Sequence, residues 1–315
     1  MCDVRNPAAQ AAGLRFPGPG RHRSYTRRAS QCPAPREPQP APGASLATEV
    51  KPVPKKPSLF TVPPMPFSLQ GHTALVTGSS AGLGRAIALS LAKAGARVAM
   101  NYFNNDRRAE EALASVRATG GDAVMIRANV TDPDDVRRLV EEAEAALGPI
   151  DILVPNATPE QPLKPIEDYD WAFYQSMLDF FIKSPFLLTR QLLPEMKRRR
   201  WGRIVNICSE VFQCGVAPFS AYVAAKGGQI GWSRSMATEL APFGITVNMV
   251  NPGWIPVERH EKDPQEMKDA YLATIPMGHW GTPADVGEAV VYFASEEARF
   301  ISGQTLLVNG GRTPH

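Results

Sequence analysis

The chain has only four cysteines in 315 residues, and they are scattered as Cys2, Cys32, Cys208 and Cys214. That spacing argues against a disulfide framework and fits reduced thiols. His22, His72, His260, His279 and His315 have neither ligand spacing nor cysteine neighbours, so no metal site is expected. No apolar run approaches the roughly 18 to 20 residues that a membrane span needs, so no membrane association is expected and the body should be soluble and cytoplasmic. Acidic residues are nearly missing from the first 66 positions, where seven Arg and three Lys face only Asp3, Glu37 and Glu49. This stretch carries +7 of a whole-chain +3, so residues 67–315 are mildly acidic at −4. A basic folded surface for nucleic acid loses its compositional support, and no nucleic-acid partner is expected.

Residues 1–66 also hold 14 of the 30 prolines and show no sustained helical or strand period. Such a segment cannot bury enough apolar surface to offset its ordering entropy and reads as a disordered Pro/Arg-rich tail. The favoured reading is a dispensable tail or a misassigned start, with Met65 the alternative first residue. Organelle targeting is less favoured, because dense proline opposes the amphipathic helix of a transit peptide.

From Thr73 the pattern changes. Short apolar or β-branched runs at 73–77, 97–101, 123–127, 150–154, 203–207, 245–250 and 304–308 alternate with helical stretches near 82–94, 105–119, 133–147, 168–199, 221–241 and 283–295. Seven strands with intervening helices predict an α/β fold, a single Rossmann-type doubly wound domain with a seven-stranded parallel sheet over residues 67–315. Ligands of such sheets sit beyond the carboxyl ends of the strands.

Directly after the first strand comes Thr77-Gly78-Ser79-Ser80-Ala81-Gly82-Leu83-Gly84, running into the apolar helix Ala86-Ile87-Ala88-Leu89. Glycines at a strand-to-helix turn let backbone approach a pyrophosphate whose charge faces a helix N-terminus. Further on, Tyr222-Val223-Ala224-Ala225-Lys226 puts a phenol and an ammonium on one helix face, and Ser209 ends the fifth strand 13 residues earlier. Together these motifs resemble the short-chain dehydrogenase/reductase superfamily, especially its 3-oxoacyl carrier-protein reductase-like and glucose-dehydrogenase-like members, over essentially all of residues 70–312. A serine-hydrolase alternative is weak beside this set of motifs.

The resemblance implies an NAD(P)-dependent oxidoreductase that interconverts a small-molecule carbonyl and a secondary alcohol by hydride transfer. In it Tyr222 is the general acid/base, Lys226 tunes the phenol and holds the nicotinamide ribose, and Ser209 orients the substrate oxygen. A free tyrosine ionises near ~10, so the Lys226 ammonium and the oxidised nicotinamide are expected to lower it. Cofactor contacts are expected from Gly78, Ser80, Gly82, Leu83 and Gly84, from Asn129 and Val130 at the adenine, and from Asn156 and Ala157. Pro252, Gly253 and the backbone at Ile255 should meet the nicotinamide end, under a lid from Pro256 to about Thr274. The second strand ends Asn101-Tyr102-Phe103-Asn104-Asn105 with no carboxylate until Asp106. Neutral donors at Asn101, Tyr102 and Asn104, with Arg107 nearby, would tolerate a 2′-phosphate, so NADP(H) is favoured over NAD(H). Asn104-Asn105 can equally cap the next helix.

Several positions depart from the family pattern. Phe181 stands where the family has an Asn that extends the Lys proton relay, and Phe can neither donate nor accept through its side chain. Asn-Asn-Ala-Gly becomes Pro155-Asn156-Ala157-Thr158, the lid Thr becomes Val257, the small residue after the catalytic Ser becomes Glu210, and Asn309 replaces the usual Asp. The alternative reading is a catalytically impaired dinucleotide-binding sensor. Glu160, Glu210, Gln213, Glu258, Arg259 and His260 could line a polar pocket or simply be solvated, and Phe212, Phe219 and Trp254 offer apolar walls. The resemblance implies a homodimer or homotetramer through helices 168–199 and 221–241, with Phe181 a candidate for that seam.

Overall fold

A computed structural model describes residues 67–314; the expectations for residues 1–66 lie outside the described residues. The seven strands are β1 (Thr73–Val76), β2 (Arg97–Tyr102), β3 (Ala123–Arg127), β4 (Ile152–Val154), β5 (Gly202–Ile207), β6 (Ile245–Pro252) and β7 (Thr305–Val308). They form one sheet in the order β3-β2-β1-β4-β5-β6-β7. Every pairing is parallel, with Leu75 opposite Ala99 on one side and Leu153 on the other. The order reverses between β1 and β4, so a crevice opens beyond the carboxyl ends of those two strands.

Strands buried on both faces read as continuous apolar runs, and β1, β4, β5 and β6 are buried throughout. The helices that bury them are α1 (Gly82–Lys93), α2 (Asp106–Arg117), α3 (Pro133–Leu147), α4 (Trp171–Leu178), α5 (Ser184–Arg199), the short α6 (Val211–Cys214), α7 (Ser220–Leu240), α8 (Gln265–Leu272) and α9 (Pro283–Ala294). Ile87 and Leu91 of α1, Val116 of α2 and Val290 of α9 pack one face of the sheet. Leu139 of α3, Leu188 of α5 and Leu240 of α7 pack the other. Each of these apolar side chains, fully buried, contributes about 1.5–3 kcal/mol.

The single helix expected over 168–199 begins at Trp171 and runs unbroken as α4, a π-helical turn at Asp179–Lys183, and α5. A π-turn inserts an extra residue per turn and re-aims the side chains it carries. Here it turns Phe181 inward, 2% exposed. The helix starts differ in a way that matters for the site. Asn105, Asp132 and Asp170 cap α2, α3 and α4 with their side chains, whereas Ala81 before α1 offers none. The first N–H groups of α1 therefore stay available to another acceptor. Among the described residues, no helix is long and apolar enough to cross a membrane.

Candidate active site

The glycine loop joins β1 to α1 at the crevice. A Cβ on Gly84 would lie 2.3 Å from the Gly78 carbonyl oxygen and 2.5 Å from Asn156 Nδ2, so only glycine fits. Gly78 has φ +62° and its added Cβ would meet Ala157 Cα at 2.7 Å. The altered motif after β4 still braces this loop. Asn156 Nδ2 donates to the carbonyls of Thr77 (2.9 Å) and Gly78 (3.2 Å), and the Asn156 and Ala157 N–H groups donate to Thr77 Oγ1. Buried Ser79, which the motif alone did not single out, donates to the Val76 carbonyl and accepts from Asn101 N–H.

Asn101 corrects an expectation. It is 2% exposed, its Oδ1 accepts from Gly78 N–H, and its Nδ2 donates to the Ala128 carbonyl at 3.0 Å. With its polar atoms spent inside the protein, Asn101 is a brace between the glycine loop and the end of β3, not a free donor. Val130 is likewise buried, leaving only backbone for a ligand, and the Asn129 side chain accepts from Thr131 in its own loop. Tyr102 is half-buried and Asn104 exposed, while Asn105 caps α2. The Asp106 carboxylate near Tyr102 pushes that phenol upward, while the Arg127 guanidinium acts in the opposite sense.

A second residue at the glycine loop was visible in sequence only as a loop carboxylate. Glu258, in the segment after β6, accepts from Gly82 N–H at 3.0 Å and pairs with Arg85 at 2.5 Å. This carboxylate takes up the uncapped start of α1 and shows that the cradle accepts an oxyanion, the chemistry that a dinucleotide pyrophosphate requires. Val257 packs over Gly82 at 3.6 Å from its would-be Cβ. Residues 256–274 thus lie against the crevice, and they contain α8.

Ser209 follows β5, and Tyr222 and Lys226 lie one turn apart on α7. All three are at most 9% exposed. The Ser209 hydroxyl faces the Tyr222 phenol and its hydrogen bond favours the phenolate, but burial dominates and pushes Tyr222 up to about 12. From the protein's own groups, then, the phenol is not lowered as the chemistry of the motif suggested. Lys226 Nζ donates to the Ile207 carbonyl (2.7 Å) and to Gln229 Oε1 (3.0 Å), and sits 3.7 Å from the centroid of the Phe181 ring. Burial lowers it to about 7, with the Arg259 cation of the lid acting in the same direction. Phe181 also meets Tyr222 edge to face at 5.3 Å. It is therefore part of the interior beneath the Tyr–Lys pair and is already buried within one protomer, not a surface residue of a subunit seam.

Pro252 closes β6, the Gly253 N–H donates to the Val308 carbonyl, and Ile255 is buried. Phe219 packs on Tyr222 at 4.8 Å, and Phe212 is exposed beside Gly227. His260, half-buried and lowered by burial, accepts from Val257 N–H and so shapes the start of the lid. Glu160 lies exposed. Among the described residues, no group of three or more His, Cys, Asp or Glu could hold a metal ion.

Residues 78–313 match a family model described as enoyl-(acyl carrier protein) reductase. The chain is 39% identical over 241 residues to the 3-oxoacyl-[acyl-carrier-protein] reductase FabG of Staphylococcus aureus, a match covering 76% of this chain and 97% of that protein. It is 42% identical over 248 residues to nodulation protein G of a Rhizobium species, covering 78% and 98%. A solved structure from Agrobacterium tumefaciens, described as a gluconate dehydrogenase, aligns with a TM-score of 0.75 at 33% identity over 79% of this chain and 98% of that one. Another from Sinorhizobium meliloti, described as a short-chain alcohol dehydrogenase, aligns with a TM-score of 0.74 at 32% identity over 78% and 98%.

Proposed function

The chain belongs to the short-chain dehydrogenase/reductase superfamily and is an NAD(P)-dependent carbonyl/alcohol oxidoreductase, and from that premise we propose that it works as an NADPH-dependent reductase with Tyr222 as proton donor. The observation that carries this reading is the convergence of Ser209, Tyr222 and Lys226 on one buried site beside the glycine crevice. Ser209 orients the substrate oxygen, Tyr222 delivers a proton to it, and Lys226 stands behind the phenol. The reduced nicotinamide, when bound, supplies the hydride. A phenol pushed up to about 12 is protonated throughout the neutral range. Reduction uses that protonated form directly, whereas oxidation must first strip the proton, so the burial of the phenol favours the reducing direction.

For the dinucleotide, Gly78, Ser80, Gly82, Leu83 and Gly84 would hold the pyrophosphate, Asn129 and the Val130 backbone the adenine, and Pro252, Gly253 and Ile255 the nicotinamide end. NADPH is preferred because β2 ends in Tyr102 without a carboxylate of its own, with Arg127 close by and Arg107 a few residues further along the chain. Phe212, Phe219 and Trp254 suit an apolar substrate portion, and the relatives' names make 3-oxoacyl thioesters the first substrates to try, with keto forms of sugar acids second. Exposed Ile166, Trp171 and Phe186, at 63%, 70% and 44%, support self-association through the α4–α5 and α7 side.

The test is turnover of this panel with NADPH and NADH, alongside Tyr222→Phe. Loss of the acid should lower kcat by about 10²- to 10⁴-fold while NADPH still binds. Turnover indifferent to the substitution would overturn the Tyr222 role, and tight NADPH binding without turnover on any substrate would leave the chain a dinucleotide sensor.

A further inference from the structure

Two of the departures from the family pattern, Glu210 after Ser209 and Asn309 after β7, are 99 residues apart in sequence and touch in space. Asn309 Nδ2 donates to Glu210 Oε2 at 2.8 Å, and Thr313 Oγ1 donates to the same oxygen at 2.9 Å. The other oxygen, Oε1, accepts from Tyr271 Oη at 2.6 Å and from Arg312 Nη1 at 2.7 Å. The carboxylate, with its residue 3% exposed, thus has four donors for about four lone-pair sites and one cation to balance its charge. Tyr271 belongs to α8 in the lid, and its oxygen also accepts from Trp254 N–H at 2.6 Å, at the turn that follows Gly253. Burial and the neighbouring carboxylate push the Tyr271 phenol upward, so it remains a donor.

We propose that Glu210 is a positioning residue, a buried carboxylate anchor that ties the lid helix and the chain end to the strand terminus carrying Ser209, and that Asn309 is its matched partner. The two departures are then one change. An Asp at 309 would press a second carboxylate against Glu210 with no proton between them, and a small residue at 210 would leave four half-buried donors without their shared acceptor. Because Tyr271 grips both Glu210 and the Trp254 backbone, the lid is fixed at α8 and leaves its leading part, around Glu258, to move. This role rests on reading Ser209 as the residue that orients substrate.

The pair can be tested by exchanging its chemistry: Asn309→Asp, Glu210→Gln, and both together, in the full chain. In the double variant the amide and carboxylate trade places and the Arg312 charge is again balanced. Two readouts are followed. One is tryptophan emission, since Tyr271 stacks on Trp280 at 5.6 Å and meets Trp254 edge to face at 5.3 Å. The other is the split between KM and kcat for the reduced substrate. Asn309→Asp should shift the emission to the red and raise KM about tenfold, with kcat changed less than about threefold, and the double variant should return both readouts most of the way to wild type. Singles whose effects simply add in the double variant, or an Asn309→Asp protein with unchanged emission, would overturn the anchor, as would a loss confined to kcat. If the wild-type chain turns over nothing, the reductase reading fails, and emission with tryptic cleavage at Lys262 and Lys268 still decides the anchor: protection should be lost in Asn309→Asp and regained in the double variant.

Discussion

Replacing Glu258 with Gln should tighten dinucleotide binding, although it removes one contact seen in the structure and weakens another. The carboxylate now accepts from Gly82 N–H at 3.0 Å and pairs with Arg85, and a phosphate at the start of α1 needs the same N–H. The lid carboxylate must therefore leave before the pyrophosphate can settle. The side chains of the ion pair are 44% and 37% exposed, so solvent screens it and its share is about 0–1 kcal/mol. The bond from Gly82 adds about 1 kcal/mol for a charged acceptor in so wet a setting. Gln keeps a neutral acceptor for Gly82 and loses the rest, which leaves about 1 kcal/mol of competition removed, or roughly a fivefold lower Kd. Isothermal titration with NADPH at low salt reads this directly. At about 0.5 M salt the gap between wild type and variant should narrow, because exposed charges are screened within a few ångströms. A variant that binds NADPH as weakly as wild type at low salt, or more weakly, would refute the idea that Glu258 holds the phosphate position.

Three further outcomes follow from the same site. Lys226 is lowered to about 7 in the folded chain against about 10.4 when unfolded; between those values the unfolded chain carries the extra proton, so stability should rise from pH 7 towards about 9 and the rise should vanish in Lys226→Met, as read from thermal unfolding. Above that range Cys208 and Tyr222, both pushed up to about 12, hold protons that the unfolded chain has lost, so stability should fall again. Phe181→Leu should cost about 2–4 kcal/mol in denaturant unfolding through lost packing and the lost cation–π contact; the cost should be larger at pH 6 than at pH 9, since only the ammonium feels the ring, and a pH-independent loss would reduce Phe181 to filler. Light scattering at micromolar concentration should give a dimer or tetramer, and a monomer there would contradict association through the α4–α5 and α7 side.

Much of the fold was legible because its signals are local. Strands buried on both faces show as apolar runs, and Asp132, Gly78 and Gly84 announce their turns by residue type, so element limits agree within a residue or two along most of the chain. The π-turn at 179–183 was not legible, since no glycine or proline lies within it and the contact it carries, Phe181 on Lys226, joins residues far apart in sequence. Asn101 misled for the opposite reason: a polar residue at a strand end looks like a free donor until the fold surrounds it with the Gly78 N–H and the Ala128 carbonyl. Glu258 reads in sequence like any solvated loop residue, and only the return of the chain after β6 brings it to Gly82, 176 positions away. Glu210 and Asn309 were each visible as oddities, but their chemistry is a relation between two places.

The surroundings of Lys226 decide how its proton can be used. An ammonium has three donors. Two are committed to the Ile207 carbonyl and Gln229 Oε1, and the Phe181 ring covers the approach from the π-turn. Gln229 is itself buried at 1% exposure, and beyond it lie the buried amide of Asn206 and hydroxyl of Ser233. Neutral amides hold an ammonium in place but do not readily pass its proton along. Among the protein's own groups, Tyr222 and Ser209 keep more contact with solvent than Lys226 does, 9% each against 3%. With Tyr222 as the proposed proton donor, its proton would be resupplied from the mouth of the site, where the lid lies, and not from the α4 side. Phe181 closes one route and stabilises the charged lysine in the same contact, which is why an apolar side chain can occupy a position where a polar one was expected without leaving Lys226 as an uncompensated buried charge.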